Sequence, residues 1–276
     1  MLFLIFAGNT KAAQRAEAGV DAVDRARLRG EGFDEFAAAF DLRSRAIHEA
    51  FYDVTAISFH AYPYLQDNYT LMACGGSVGE GYGPMVVSPR KLSLADIKKT
   101  RIAVPGTLTT AFLTLKLFAP EVETATVPFD RIIPAVVAGE FDAGLIIHEG
   151  QLTYGNNGLL KALDLGQWWR EQTGLPLPLG GNAIRRSLGE ETMRITTNAL
   201  RDSIQHALDH RDEALSYAMQ FARDLDPALA NQFVGMYVND RTLNYGEDGR
   251  EAIRKLLEMG YDRGIIPTRA TVDFVD

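Results

Sequence analysis

Cysteine is nearly missing from this chain: Cys74 is the only one among 276 residues. A disulfide within the chain is therefore excluded, and a cysteine-based zinc site is disfavoured. Thiols stay reduced in the cytosol, so a single cysteine fits a cytoplasmic protein.

Long apolar runs and clusters of basic residues are also missing. The apolar start, Met1–Ala7, is much shorter than the roughly 20 residues of a membrane span, and it lacks the basic segment of a secretory signal peptide. The net charge is −8, with no basic patch. We therefore expect no nucleic-acid partner and no membrane partner. An anionic small molecule stays possible, because a pocket can be locally positive.

The composition, 46% hydrophobic and 23% charged, is that of an ordinary globular protein long enough for two lobes. Strands are predicted at Val54–Phe59, Tyr69–Cys74 and Pro84–Val87. From Lys98 to His148 the pattern alternates strand and helix, which predicts a parallel sheet with right-handed crossovers. Helices follow Leu188. An α/β part and a helical tail predict two lobes with a cleft between them.

The segment from Asp142 to Glu149 ends a predicted buried strand on a His-Glu pair. Ligands of open α/β sheets bind outside the carboxyl ends of such strands. His148 is therefore the candidate general base, because an imidazole takes and returns protons near neutral pH. A structural histidine at a strand end is the alternative. Glu149 either orients the ring or faces solvent, since neighbouring strand residues point in opposite directions.

A second candidate lies at Pro105–Ala111, where a strand, a glycine turn and a threonine-rich helix start follow one another. Free N–H groups and the helix dipole make such a start an anion site. Thr109 and Thr110 are predicted to donate to a carboxylate or a phosphate. The alternative is that one of them is only an N-cap.

Weaker signals surround these two. His60 follows a predicted strand and is expected to line the same cleft. The loop Gly75–Gly83 holds five glycines, which allow close backbone approach, but its spacing is not that of a nicotinamide-binding loop. His206 and His210 share a helical face, and surface exposure is favoured over a metal pair. Trp168 and Trp169 are predicted to pack at a crossover between the lobes, with an aromatic cleft wall as the alternative.

These motifs together resemble those of the 1,4-dihydroxy-6-naphthoate synthases of the futalosine route to menaquinone. The resemblance extends from about Asp53 to the C-terminus. It is carried by Gly79-Glu-Gly-Tyr-Gly-Pro84, Ala103-Val-Pro-Gly106, Thr109-Thr-Ala111, Gly144-Leu-Ile-Ile-His-Glu149, Asp164-Leu-Gly-Gln-Trp-Trp169 and Thr173-Gly-Leu-Pro-Leu-Pro-Leu-Gly180.

The resemblance implies an α/β, two-lobed, periplasmic-binding-protein-like fold of type II, with mixed or parallel sheets and a helical C-terminal region. Lobe I would comprise residues 1–87 and 185–276, lobe II residues 88–184, with the substrate cleft between them. The implied activity is that of a cytoplasmic lyase that converts cyclic dehypoxanthine futalosine, a carboxylate, to 1,4-dihydroxy-6-naphthoate. No cofactor and no metal are implied, and a monomer or homodimer is expected.

The resemblance also assigns site residues. His148 would be the proton acceptor. Substrate-binding positions would be Thr55, Ala56, Ile57, Ser58, Thr109, Thr110 and Ala111. Apart from the resemblance, we expect His60, Gly81, Tyr82 and Glu149 to line the cleft.

The N-terminus departs from the family pattern. Members usually open with a strand and a Ser-Pro-x-x-Asp-x-Phe turn, whereas Met1–Ala7 resembles the segment that comes after that turn. The first strand and its turn are therefore predicted to be missing. Two other functions stay open: a solute-binding protein that holds a small carboxylate without chemistry, and chorismate dehydratase, which has the same fold. The His-Glu and Trp-Trp motifs favour the naphthoate synthase.

Overall fold

A computed structural model describes residues 52–147, 149–219 and 226–276. His148 lies outside the described residues, as do residues 1–51, which include the N-terminal departure. The strands are β1 Val54–Ser58, β2 Tyr69–Met72, β3 Ser77–Gly79, β4 Met85–Ser88, β5 Ile102–Val104, β6 Thr124–Thr126, β7 Ala143–Ile146, β8 Leu160–Asp164, β9 Leu177–Arg185 and β10 Phe274–Val275.

Helices separate these strands and fill the C-terminal region. They are α1 Leu94–Ile97, α2 Thr110–Phe118, α3 Ile132–Val137, α4 Gly150–Thr153, α5 Leu165–Thr173, α6 Glu190–Asp209, α7 Arg211–Met219, α8 Pro227–Tyr237, α9 Asp240–Leu243 and α10 Gly246–Asp262. A 3-10 helix, Phe59–Tyr64, follows β1 directly. No helix within these described ranges is long and apolar enough to cross a membrane.

The first sheet has the order β1-β9-β2-β10, and β3 pairs with the first half of β9. Strand β9 is antiparallel to β1, β2 and β3, whereas β10 runs parallel to β2. Gly180 is the meeting point, since it lies opposite Ser58 on one side and Ser77 on the other.

The second sheet has the order β6-β5-β7-β4-β8. Its β6, β5 and β7 are mutually parallel, as the alternation of strands and helices from Lys98 onward predicts. Strand β4 is antiparallel to both β7 and β8, so the sheet as a whole is mixed.

Sheet membership differs from the predicted lobe boundaries. Strand β4 belongs to the second sheet and β9 to the first, whereas boundaries at residues 87/88 and 184/185 put most of each strand in the other lobe. The physical reason is strand pairing, because β9 forms main-chain hydrogen bonds with β1, β2 and β3 of the first sheet. The proline- and glycine-rich sequence of β9 does not reveal this pairing. The chain therefore passes between the sheets at residues 80–84 and 174–176.

The two tryptophans pack where α5 meets its neighbours, which confirms the packing interpretation. Trp169 is fully buried, and its indole N–H donates to the Pro176 carbonyl at 3.0 Å. The Trp168 ring meets the Phe118 ring edge-on at 5.7 Å. Trp169 shares a core cluster with Leu113 of α2 and Leu256 of α10. Helices of both parts of the chain therefore meet in one apolar core.

Candidate functional site

The start of α2 is fixed by Thr109, which is its N-cap. The Thr109 hydroxyl accepts from the Phe112 N–H at 3.1 Å and donates to the Gly106 carbonyl at 2.7 Å. This closes the turn that joins β5 to the helix. The capping alternative for Thr109 is thus confirmed, and its hydroxyl proton is already used within the turn.

Thr110 ties the helix start to the first sheet. Its hydroxyl donates to the Leu179 carbonyl of β9 at 2.6 Å and accepts from the His60 N–H at 3.4 Å. Thr110 is 2% exposed. The hydroxyl therefore donates to a main-chain carbonyl here, and its donation to a ligand stays a prediction.

His60 lies beside the same turn. Its Nδ1 is 3.2 Å from the Thr109 carbonyl oxygen, which can only accept, so Nδ1 carries a proton. In the neutral ring Nε2 is then the basic nitrogen. The ring is 2% exposed and stacks on Phe112, with centroids 6.2 Å apart and planes 7° apart. The structure therefore brings His60 together with Thr109 and Thr110.

What this turn offers to a ligand is main-chain N–H groups. Within the described part of the chain, the N–H groups of Thr110 and Ala111 have no acceptor, as is usual in a first helical turn. They lie at the positive end of the α2 dipole, which favours an anion. This explains why Ala111, with no polar side chain, can be a binding position.

The four β1 positions differ in their placement. Ser58, at the strand end, lies opposite Gly180, next in the chain to the Thr110 acceptor Leu179. Ile57 is buried and Ala56 is exposed. Thr55 lies opposite Ala183, about 10 Å back along the strand. Of these four positions, Ser58 has the register closest to the part of β9 to which Thr110 bonds.

Gly81 and Tyr82 lie in the connection from β3 to β4. Gly81 has φ +80°, which favours glycine. The Tyr82 hydroxyl donates to the Met236 carbonyl, and its ring meets the Tyr237 ring edge-on at 5.7 Å. Burial, followed by the charge of Glu80, raises the Tyr82 pKa. The tyrosine therefore holds α8 against this connection.

Beyond β7 the structure reveals Gln151, which sequence reasoning missed. Gln151 is 4% exposed, in the one-turn helix α4. Its Nε2 donates to the Gly83 carbonyl at 3.1 Å, and its Oε1 accepts from the Tyr237 hydroxyl at 2.6 Å. Glu149 is half-buried, and its carbonyl accepts from the Leu152 N–H at 2.9 Å. The available signal was a polar side chain three residues after His148.

The remaining histidine pair is remote from this chemistry. His206 and His210 stack near the end of α6 with centroids 4.0 Å apart, and His210 is exposed. No group of three or more His, Cys, Asp or Glu side chains in the described ranges is arranged to hold a metal ion.

Comparison with known families matches residues 22–262 to a family described as menaquinone biosynthesis. That match covers most of the chain. The chain belongs to this menaquinone-biosynthesis family. The turn around Thr109 and the segment around Gln151 both lie within the matched residues.

Two relatives are similar to this family member over most of its length. A 1,4-dihydroxy-6-naphthoate synthase of Streptomyces coelicolor is 38% identical over 254 residues, which cover 90% of this chain and 89% of the relative. A 1,4-dihydroxy-6-naphthoate synthase of Thermus thermophilus is 42% identical over 212 residues, 77% of each chain.

Solved structures establish the fold. A crystal structure of an Archaeoglobus fulgidus protein is 50% identical, with a TM-score of 0.78 over 82% of this chain and 84% of that one. The alkanesulfonate-binding protein of Xanthomonas axonopodis pv. citri, bound to MOPS, is 15% identical with a TM-score of 0.62, covering 84% and 82% of the chains. The family member thus has the expected two-lobed periplasmic-binding-protein-like fold, with mixed sheets and a helical C-terminal region.

Proposed function

We propose that this chain is a cytoplasmic lyase that converts cyclic dehypoxanthine futalosine to 1,4-dihydroxy-6-naphthoate. The observation that carries the proposal is its similarity, over 90% of its length, to a relative of that name. Within the proposal the protein needs no cofactor and no metal, works as a monomer or homodimer, and has a small-molecule carboxylate as its partner.

His148 is the general base in this proposal. A base starts a retro-aldol-like cleavage by taking a proton from the substrate, the carbon–carbon bond breaks, and the remaining ring system becomes aromatic. The sugar-derived part leaves. An imidazole suits this task because its pKa is close to working pH. Closure of the two lobes over the substrate would exclude water.

The substrate carboxylate is assigned to the start of α2. The free N–H groups of Thr110 and Ala111 support this assignment, together with the helix dipole. Thr109 and Thr110 contribute by fixing the turn, and His60 by closing one side of it. Ser58 is assigned to the same side because it ends the strand that leads into His60. Thr55, Ala56 and Ile57 contribute through β1, while Gly81, Tyr82 and Glu149 line the cleft.

Two alternatives use the same fold. A solute-binding protein is favoured by the likeness to an alkanesulfonate-binding protein, and it would hold a carboxylate without turning it over. Chorismate dehydratase is compatible with the menaquinone-biosynthesis family. The His-Glu and Trp-Trp motifs are the features that favour the naphthoate synthase over chorismate dehydratase, and a base at position 148, which a binding protein does not need, favours an enzyme over a solute-binding protein.

The test is incubation of the purified full chain with cyclic dehypoxanthine futalosine, and separately with chorismate, followed by chromatographic detection of the products. We expect dihydroxynaphthoate from the first substrate alone. His148→Ala should lower kcat by about 100-fold to 10,000-fold, the usual contribution of a general base. His210→Ala, an exposed histidine on α6, is the matched control and should keep full activity.

Three results would contradict the proposal. Turnover of chorismate alone would identify the dehydratase. Calorimetric binding of cyclic dehypoxanthine futalosine without product would favour the solute-binding protein. Full activity of His148→Ala would remove the base from His148 even if the substrate is right.

A further inference from the structure

We propose that helix α8 clamps the two sheets to each other, through a path of buried hydrogen bonds that runs from the end of β2 to the end of β7. Release of this clamp lets the two parts of the molecule move apart. The inference goes beyond the proposed function, because it concerns how the two parts are held together and stands whichever of the candidate functions is right.

The path begins in the first sheet, just after β2. The Gly75 N–H donates to the Thr242 carbonyl at 2.7 Å. Thr242 belongs to α9 and is fully buried, and its hydroxyl donates to the Tyr237 carbonyl at 3.0 Å. Helix α8, which ends at Tyr237, also packs against β3. The C-terminal end of α8 is therefore fixed to the first sheet.

The Tyr237 side chain continues the path to the second sheet. Its hydroxyl donates to the Gln151 Oε1 at 2.6 Å. The Gln151 Nε2 donates to the Ile146 carbonyl at 3.4 Å and to the Gly83 carbonyl at 3.1 Å. Ile146 is the last residue of β7, and Gly83 lies in the connection that leads into β4. The path therefore passes from one sheet to the other at the bond between Tyr237 and Gln151.

Tyr82 fastens the same helix from the other side. It lies in the connection formed by residues 80–84, and its hydroxyl donates to the Met236 carbonyl of α8. The Tyr82 and Tyr237 rings meet edge-on, with centroids 5.7 Å apart. Each side thus contributes one tyrosine whose hydroxyl donates to the other. Helix α8 cannot leave the connection and α4 unless both of these bonds break.

The chemistry of the crossing bond favours its persistence. Tyr237 is 5% exposed and Gln151 is 4% exposed. Burial is the main cause that raises the Tyr237 pKa far above its usual value, so the hydroxyl keeps its proton and stays a donor. The carboxamide of Gln151 suits its partners, because its NH₂ group faces carbonyls, which only accept, and its oxygen faces a hydroxyl. Loss of either side chain would leave buried polar groups without partners, which is costly.

The rest of the junction between the sheets allows a rotation that the clamp prevents. Gly81 lies in one connection and has φ +80°, while Gly174 begins the other and has φ +73°. Hinges are a few loop positions of this kind, which absorb changes in φ and ψ. The core around Trp169 joins α2, α5 and α10, whereas the clamp joins α4 and α8. A rotation about that core would therefore separate α8 from α4.

The main test is hydrogen exchange of the folded protein, followed by nuclear magnetic resonance. A buried amide exchanges only in the fraction of molecules in which its bond is open. The reporter is the His60 N–H, which donates to the Thr110 hydroxyl oxygen at 3.4 Å. This bond joins the 3-10 helix after β1 to the start of α2. It therefore connects the two parts of the molecule at a place outside the clamp.

We expect the His60 amide to exchange about fivefold faster than in wild type in Tyr237→Phe, the factor that corresponds to the loss of one net hydrogen bond. In Gln151→Leu the rate should rise by more than about tenfold, because several buried groups lose their partners. The double variant should exchange little faster than Gln151→Leu alone, since both changes remove the same bond. Circular dichroism verifies that each variant is folded, and Tyr237→Phe, which removes one oxygen atom, decides the outcome if Gln151→Leu does not fold.

Tyr69→Phe is the matched control. Tyr69 is fully buried on β2, and its hydroxyl donates to the Tyr52 carbonyl at 2.7 Å, outside the clamp. This variant should leave the His60 exchange rate unchanged. Equal acceleration in Tyr69→Phe and Tyr237→Phe would overturn the clamp, because loss of any buried tyrosine bond would then have the same effect. An unchanged rate in Tyr237→Phe would overturn it as well.

A distance measurement between the two parts completes the test. Spin labels are placed at exposed positions by Lys99→Cys, after α1, and Glu191→Cys, on α6. Cys74 is buried, and burial raises its pKa to about 11, so it does not compete for the label. We expect electron–electron double resonance to show a larger share of long distances in Tyr237→Phe and Gln151→Leu than in wild type. Faster His60 exchange with unchanged distances would mean that α8 stabilises only the α2 start, and the clamp would be overturned.

Discussion

At the start of α2, each threonine hydroxyl has one proton to give. Thr109 gives it to Gly106 and Thr110 gives it to Leu179. A carboxylate at this turn must therefore be held by main-chain N–H groups, unless a hydroxyl rotates away from its carbonyl. The acceptor of the hydroxyl proton therefore distinguishes two roles for Thr110. A main-chain acceptor means that the side chain stabilises the turn, whereas a ligand acceptor would mean that it binds substrate.

Replacing Thr110 with valine tests these roles. The change keeps the shape of the side chain but leaves the Leu179 carbonyl without its donor, so we expect the free energy of unfolding to fall by about 1 kcal/mol. Thr110→Ser keeps the hydroxyl and is the control. Denaturant unfolding followed by circular dichroism measures both. A Thr110→Val protein with unchanged stability and a raised KM alone would show that the hydroxyl serves the ligand.

At this scale the sequence predicted the α2 turn but missed Gln151. The turn is local, since a strand, a glycine and two threonines are adjacent in the chain, and that pattern is sufficient to predict the turn and the helix start that follows it. The Gln151–Tyr237 bond joins residues 86 positions apart. No periodicity or spacing reports such a contact, because it exists only once α8 has packed beside α4.

Among the elements, the parallel part of the second sheet, β5 to β7, was the predictable one. Its β5, β6 and β7 are apolar or β-prone runs separated by helices, and the helix whose start is predicted within Pro105–Ala111 forms over Thr110–Phe118. The helix begins at Thr110 because Thr109 caps it and the preceding residues form the turn. Local propensity and tertiary structure agree here, so the pattern suffices.

Strand β9 was not predictable from its own residues. It contains Pro178 and two adjacent glycines, a composition typical of loops. The glycines are required by neighbours: a Cβ at Gly181 would lie 2.7 Å from the Tyr245 hydroxyl oxygen, and one at Gly180 would lie 2.8 Å from the Ile57 carbonyl oxygen. These residues form a strand because three other strands pair with them, which is non-local information.

The C-terminal strand β10 gives an element-scale prediction about pH. Asp273, next to β10, forms a bidentate pair with Arg186, both bonds at 2.7 Å, and accepts from the Tyr62 hydroxyl at 2.7 Å. Burial opposes ionisation, but these bonds outweigh it and lower the Asp273 pKa. The carboxylate therefore contributes stability above the unfolded pKa of about 3.9, and the contribution disappears as pH falls through the lower folded pKa.

Asp273→Asn is the variant that measures this contribution. We expect wild type to be more stable than the variant at pH 7, and we expect the difference to shrink as the pH falls below about 4. Urea unfolding at a series of pH values measures it. Asp262→Asn, at the exposed end of α10, is the control and should show a smaller difference at pH 7. A wild-type advantage that grows toward low pH would contradict the assignment.

At the scale of the whole molecule, the two connections between the sheets meet the first sheet at neighbouring positions. Residues 80–84 leave it after β3, and residues 174–176 enter it at β9. Gly79 lies opposite Leu177 where β3 and β9 pair, and Glu80 follows at once. Glu80 accepts from Arg241 of α9 at 2.8 Å and from Arg170 of α5 at 3.4 Å. Arg241 also pairs with Asp248 of α10. A chain of charges therefore links helices of both parts of the molecule at the crossing point.

Glu80→Gln should weaken this link, because it leaves two guanidinium groups converging on a neutral side chain. We expect the free energy of unfolding at low salt to fall by about 1 kcal/mol, since exposed and half-exposed ion pairs each contribute up to about that amount. In 1 M NaCl the Debye length is about 3 Å, so the difference from wild type should largely disappear. Guanidinium chloride is itself a salt, so urea unfolding at both salt concentrations is the measurement.

Glu171→Gln, on the exposed surface of α5 and bonded to Gln167, is the control. A loss in Glu80→Gln that is the same at both salt concentrations would mean that the side chain acts through packing, and the two parts of the molecule would then be held by their shared core around Leu113 and Trp169 rather than by charge.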